Sequence, residues 1–119
     1  MKIAVPSTGS TLEAAVDSRF GRASGFVVYN TEDKTFTVAD NSQNLNAAQG
    51  AGVQAAQNVA STGADVVIAP SFGPKAFRVL KAAGIKSYIS KATSVKAAIE
   101  EYNSGKLSES DAANVEGHW

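Results

Sequence analysis

The chain has 119 residues, 44% of them hydrophobic, a length that fits one domain with a core of its own and is too short for two. It has no cysteine and one histidine, His118, next to the end, which excludes disulfides, thiolate nucleophiles, thiolate-ligated iron-sulfur clusters, a histidine-rich metal site and an internal histidine triad. Eleven basic and eleven acidic side chains cancel, so no overall attraction for nucleic acid is expected.

The opening Met1-Lys2-Ile3-Ala4-Val5-Pro6 lacks the long apolar segment of an export signal. No stretch approaches the roughly 20 apolar residues that span a bilayer, so the expectation is a cytoplasmic protein without a membrane partner. Ile3 to Val5 reads as a first strand that Pro6 closes, followed by a turn-rich loop, Ser7 to Thr11. Gly25 to Asn30 (GFVVYN) and Thr35 to Ala39 (TFTVA) are β-branched and aromatic runs on either side of Thr31-Glu32-Asp33-Lys34, the pattern of a hairpin with a longer loop. Asp40 to Gly52 is polar and amide-rich without sustained periodicity and predicts a flexible loop.

From Val53, apolar positions recur at Ala56, Val59 and Ala60, the spacing of a helix that Gly63 stops. Val66-Val67-Ile68-Ala69 is short and continuously apolar, as a strand covered on both faces should be. Pro70 to Pro74 is a strand-to-helix loop in which Pro74 suits the first helical turn. The helix after it turns Ala76, Phe77, Leu80 and Ala83 inward and stops at Gly84, and Ile85 to Ile89 predicts another strand. Ser94 then caps a helix burying Val95, Ala98, Ile99 and Tyr102 and ending at Gly105. After Leu107 the segment Ser108 to Trp119 is polar and reads as a frayed tail. Alternating helices and strands joined by right-handed crossovers make a parallel sheet, and the hairpin adds an antiparallel part, so the expected product is an α/β domain with a five-stranded mixed sheet.

Four segments carry a family resemblance: Met1-Lys2-Ile3-Ala4-Val5-Pro6; Asp17-Ser18-Arg19-Phe20-Gly21-Arg22-Ala23; Gly50-Ala51-Gly52-Val53-Gln54-Ala55-Ala56; and Gly73-Pro74-Lys75-Ala76-Phe77 with Leu80-Lys81-Ala82-Ala83-Gly84-Ile85. In this order they resemble the dinitrogenase iron-molybdenum cofactor biosynthesis family, which includes NifX, NafY and the C-terminal part of NifB. The match covers residues 1–107 as one domain and leaves 108–119 as the tail. The resemblance implies a ribonuclease H-like fold: five strands in a mixed sheet, the second antiparallel to the rest, covered by about three helices. It also implies non-covalent binding and carriage of a preformed molybdenum-containing metal-sulfur cluster, of iron-molybdenum or molybdenum-copper-sulfide type, with a cluster donor and an acceptor protein as partners and no catalysis. The sequence departs from the family pattern at Arg19 and Gln49, where cofactor-carrying members often have histidine. Both replacements favour ionic and hydrogen-bonded capture of a whole anion over direct coordination.

A sulfide-coated metal anion needs backbone N–H donors, cations and small residues that permit close approach. Phe20-Gly21-Arg22-Ala23 offers a glycine and a guanidinium, Gly50 and Gly52 stand at the entry to one helix, and Ser71-Phe72-Gly73-Pro74-Lys75 leads into the next. These eleven positions are the candidate cradle, in the loops that follow the carboxyl ends of strands, where open α/β sheets bind ligands. Between Asp65 and Glu100 every charged residue is basic, namely Lys75, Arg78, Lys81, Lys86, Lys91 and Lys96. Most of these belong to solvated faces, with Lys75 and then Arg78 nearest the cradle. Asn44, Asn46, Gln49, Thr93, Ser94 and a folded-back His118 are weaker candidates. Phe20 and Phe72 either wall the pocket or pack in the core.

Other function classes find less support. A ribonuclease H-type nuclease needs a carboxylate on the first strand, and Ile3 to Val5 has none. A nucleotide or phosphate module could use Gly50-Ala51-Gly52, but this pair lacks the third glycine and the following lysine of phosphate loops. A regulator that docks a protein on the same surface is the remaining alternative, and a monomer is expected.

Overall fold

The computed structural model describes residues 1–42 and 50–110. Its elements are β1 (Lys2–Ser7), a 3-10 turn (Phe20–Arg22), β2 (Gly25–Asn30), β3 (Thr35–Asp40), α1 (Ala51–Ser61), β4 (Val66–Ala69), α2 (Pro74–Ala82), β5 (Lys86–Ile89) and α3 (Val95–Asn103). The strands form one sheet in the order β3-β2-β1-β4-β5. β1 pairs in parallel with β4, and β4 with β5, whereas β2 is antiparallel to both β1 and β3. The five-stranded mixed sheet, with its second strand alone reversed and three helices covering it, is therefore the architecture expected from the sequence.

Period-2 alternation decides what each strand offers to each layer. Ile3 and Val5 of β1, Val27 of β2, and Val66 and Ile68 of β4 face α3, which buries Val95, Ala98 and Ile99 against them. Ala4, Phe26, Val28, Val67 and Ala69 face the other way, toward α1, α2 and the 3-10 turn. The central strands are thus apolar on both faces, the condition for a sheet sandwiched between helices.

The structure corrects several boundaries. β1 runs through Pro6 to Ser7, pairing Pro6 with Phe26. The bonding parity explains why a proline is tolerated there. Met1 accepts from Thr31 N on the β2 side, whereas Lys2 N and O both engage Asp65 on the β4 side, so even positions of β1 point toward β4. Pro6 falls on that side past the last β4 partner, where only its carbonyl is used, accepting from Asp17 N at 3.0 Å. α1 begins at Ala51, two residues before the expected start, so its buried face is Ala51, Gly52, Ala55, Ala56 and Val59, and Ala60 is exposed. Ala83 is exposed as well, because α2 has ended and this residue is its C-cap. At the far edge, Glu109 bridges Tyr88 and Ser110 N donates to Ser87 O at 2.7 Å, so the chain after Leu107 starts by lining β5.

All three helices start at one end of the sheet. α2 and α3 follow the carboxyl ends of β4 and β5. α1 finishes beside the start of β1, where Lys2 Nζ donates to Thr62 O at 3.4 Å, so its first turn lies at the opposite, carboxyl end. Among the described residues no helix is long and apolar enough to cross a membrane.

Phe20 joins the layers at that end, fully buried with its ring centroid 5.3 Å from Phe26 and 5.4 Å from Phe72. Phe20→Ala is expected to cost about 3–5 kcal/mol in urea unfolding, the range for deleting a core aromatic that leaves a cavity.

Candidate functional site

The segment between β1 and β2 crosses the carboxyl end of the sheet and is fixed by its own polar groups. Buried Asp17 accepts from Arg19 N at 2.9 Å, an Asx turn, and pairs with the exposed Arg19 guanidinium at 3.5 Å. That turn hands over to the 3-10 turn, where Arg22 N donates to Arg19 O at 3.1 Å. Phe20, Gly21 and Ala23 are buried, while Arg22 is half-buried and leaves the 3-10 turn as its last residue.

Two sets of hydrogen bonds tie this turn to its neighbours. Asn41, fully buried at the end of β3, donates through Nδ2 to Ala23 O at 2.8 Å and to Gly21 O at 3.4 Å. Asn58 of α1 in turn donates to Asn41 Oδ1 at 2.7 Å. On the other side Ser71 Oγ donates to Ser18 O at 3.2 Å, and Phe72 packs on Phe20. The turn at 18–23 is thereby held between α1 and the β4–α2 loop, which brings two of the sequence-derived candidate segments, 20–23 and 71–75, together. Phe20 and Phe72 are both 0% exposed and act from beneath, as the packing that fixes the loops.

The helix starts differ in a way that bears on ligand binding. At α3, Ser94 Oγ accepts from Ala97 N at 3.1 Å, while Val95 N and Lys96 N donate to Ala14 O and Leu12 O at 3.0 and 2.8 Å. Its first turn is closed by its own chain, and Thr93-Ser94 is accounted for as a cap. α1 starts instead from Gly50, whose φ of 77° is left-handed and whose missing Cβ would meet nothing within 4 Å. Glycine is needed there for conformation, not for space. α2 starts from buried, extended Gly73, with Pro74 in its first turn. Neither glycine has a side chain to cap the amides that follow. Gly52 lies inside the first turn of α1 and is buried; Lys75 and Arg78 are exposed on α2, with Arg78 Nε donating back to Pro74 O at 3.4 Å.

Asn44, Asn46, Gln49 and His118 lie outside the described residues. Among the described residues no three histidine, cysteine, aspartate or glutamate side chains group as a metal site. Sequence reasoning missed Asn41, Asn58 and Ser71's bond to Ser18. A lone asparagine after Asp40 is a weak signal, since its partners lie 17 to 20 positions away in the chain.

Comparison with known proteins gives a consistent result. Residues 1–105 match the profile of the family described as dinitrogenase iron-molybdenum cofactor. An uncharacterized protein of Methanocaldococcus jannaschii is 33% identical over 110 residues, 90% of this chain and 89% of that one. Among solved structures, the apo form of the orange protein from Desulfovibrio gigas superimposes with a TM-score of 0.92 at 37% identity, covering 96% of both chains. A protein from Thermotoga assigned to NifB gives 0.83 at 36% identity over 98% of both chains.

Asn41→Ala is expected to destabilise the fold by about 2–3 kcal/mol, because the Ala23 carbonyl and the Asn58 amide lose their partner inside the protein. Hydrogen exchange should show the loss as faster opening of amides at 20–23 than at 95–98, and uniform loosening would deny Asn41 a local role.

Proposed function

The chain belongs to the dinitrogenase iron-molybdenum cofactor family, and on that footing we propose that it binds and carries a preformed molybdenum-containing metal-sulfur cluster and does no chemistry on it. The cluster, of iron-molybdenum or molybdenum-copper-sulfide type, is cargo taken from a donor protein and surrendered to an acceptor. The metals of such a cluster are already saturated with sulfide, so a protein can grip it through N–H donors and cations without exchanging any ligand. A chain with no cysteine suits that mode of capture.

The observation that carries the reading is the contrast among helix starts at one end of the sheet. α3 has its first-turn amides occupied by Ser94, Ala14 and Leu12, whereas α1 and α2 start from glycines, which supply no side-chain cap. Positive partial charge at the two glycine-led starts, with Arg22 and Lys75 beside them, favours an anion. Half-buried Ser71 and Pro74 form the loop rim beside Gly73, which adds no bulk, whereas buried Gly21 and Ala23 hold the turn from beneath. Phe20 and Phe72 keep these loops in place. Release to an acceptor needs no bond breaking, only competition for the same donors.

Two measurements test this. Titrating the protein with tetrathiomolybdate and copper(I) is expected to shift amide resonances at 20–23, 50–53 and 71–75 while those of Val95, Lys96 and Ala97 stay in place. Shifts confined to the start of α3 would refute the cradle. Arg22→Ala is expected to weaken cluster retention about tenfold at low ionic strength, as loss of a charge-assisted contact should, and to flatten its salt dependence. Equal retention at every ionic strength removes Arg22 from the site.

A further inference from the structure

The two lateral edges of the sheet are treated differently by the chain. Along β5, Glu109 and Ser110 occupy the outer side. Along β3 no described residue does so, and the strand has neither a proline nor a bulge to blunt its exposed edge. Its register with β2 is unbroken over six pairs, from Gly25–Asp40 to Asn30–Thr35, with no bulge. Thr35 to Ala39 contains no proline and no charge. Asn41 N donates to Ser24 O, which sets the parity of the ladder: Thr35, Thr37 and Ala39 face β2, and Phe36 and Val38 send their N–H and C=O groups outward.

The side chains on this edge are apolar where the rest of the surface is not. Among the described residues, three large hydrophobic side chains are exposed by more than a third, and two of them are Phe36 at 38% and Val38 at 44%. Both lie on the α3 face, opposite Tyr29 and Val27, with Asp40 after them on the same face and Lys34 before them as the left-handed last residue of the turn.

We propose that β3 pairs antiparallel with β3 of a second copy of this chain, about a two-fold axis through Thr37, joining two five-stranded sheets into one. The strand is self-complementary in this register. Phe36 meets the partner's Val38, and both have outward backbone groups, so the pair can exchange its bonds. Lys34 meets the partner's Asp40, and the symmetry repeats each contact. Hydrogen bonds from Ser42 hold the Asp40 carboxyl below the usual carboxylate range, so the anion is available to that lysine. Sliding the register by two residues in either direction puts Lys34 against the partner's Val38, or Asp40 against the partner's Phe36, and loses the charge pair. A net charge of zero leaves no overall repulsion to oppose association. The contact is small, so the dimer forms and dissociates with concentration.

Sedimentation velocity on the full chain, from about 10 µM to about 1 mM, spans the affinities of small interfaces. The wild type is expected to move from monomer toward twice the monomer mass. Lys34→Glu and Asp40→Lys are each expected to stay monomeric, since like charges then face each other at both ends of the pairing. Mixed in equal amounts they are expected to dimerise again, because each new charge meets its opposite across the axis. Val38→Pro removes an outward N–H without touching the β2 ladder, so it should abolish the dimer and keep the far-ultraviolet circular dichroism of the wild type. A wild type that is monomeric throughout overturns the proposal, the outcome expected if the chain's own residues or a foreign strand occupy this edge. So does a dimer that survives Val38→Pro, or a mixture of charge variants that stays monomeric while the wild type associates.

Discussion

The tilted packing of Phe20 between Phe26 and Phe72 is the interaction on which the carboxyl end of this domain depends. A turn built from Phe20-Gly21-Arg22 has little regular backbone bonding of its own, so its position must come from elsewhere. The buried ring supplies it, because moving the turn would open a cavity beside β2 and beside the β4–α2 loop together. Asn41 fixes the remaining freedom by directing an amide at the two carbonyls that flank Arg22. Apolar packing sets the depth of the turn and the asparagine sets its rotation, which is how a short, glycine-containing segment holds a defined shape.

That division of labour leaves the helix ends as the place where the domain departs from simple structural economy. A fold selected for stability alone would give all three helices a side-chain cap, roughly a few tenths of a kcal/mol better than glycine at each. α3 has that arrangement, closed by Ser94 and by the loop that carries Leu12 and Ala14. α1 and α2 begin at glycines, and Gly50 adopts a left-handed conformation that other residues reach only with strain. Side-chain caps absent at two neighbouring helix starts, and present at the third, are what the proposed cradle at the first pair rests on.

The fold was largely legible in the sequence, because its central strands are short apolar runs bounded by turn residues and its helices end at Gly63, Gly84 and Gly105, all left-handed in the structure. What sequence could not convey was bonding parity. Pro6 reads as a strand terminator until one knows which side of β1 its missing N–H would face. The start of α1 was obscured for a related reason: Ala51 and Gly52 follow polar residues, and their burial depends on contacts remote in sequence. The candidate segments were recognisable from glycine, arginine and the family pattern, and two of them, 20–23 and 71–75, do meet. The groups that hold them together, Asn41, Asn58 and the bond from Ser71 to Ser18, join single polar residues to partners distant in the chain, and no local spacing announces those contacts.

The sheet uses its boundaries for separate purposes. The carboxyl end holds the helix starts and the aromatic-anchored turn; the β5 edge is lined by the chain's own continuation; the β3 edge is apolar and covered by none of the described residues. β3 runs parallel to β1, so antiparallel pairing of two β3 strands places the carboxyl ends of the two copies at opposite ends of the joined sheet. In such a dimer the two proposed cradles would stand apart, and filling one would not crowd the other. Because β3 leads directly into Asn41, the same strand that would carry association also carries the residue that orients the Phe20 turn, and pairing that stiffens β3 would reach the cradle through one covalent step and one hydrogen bond.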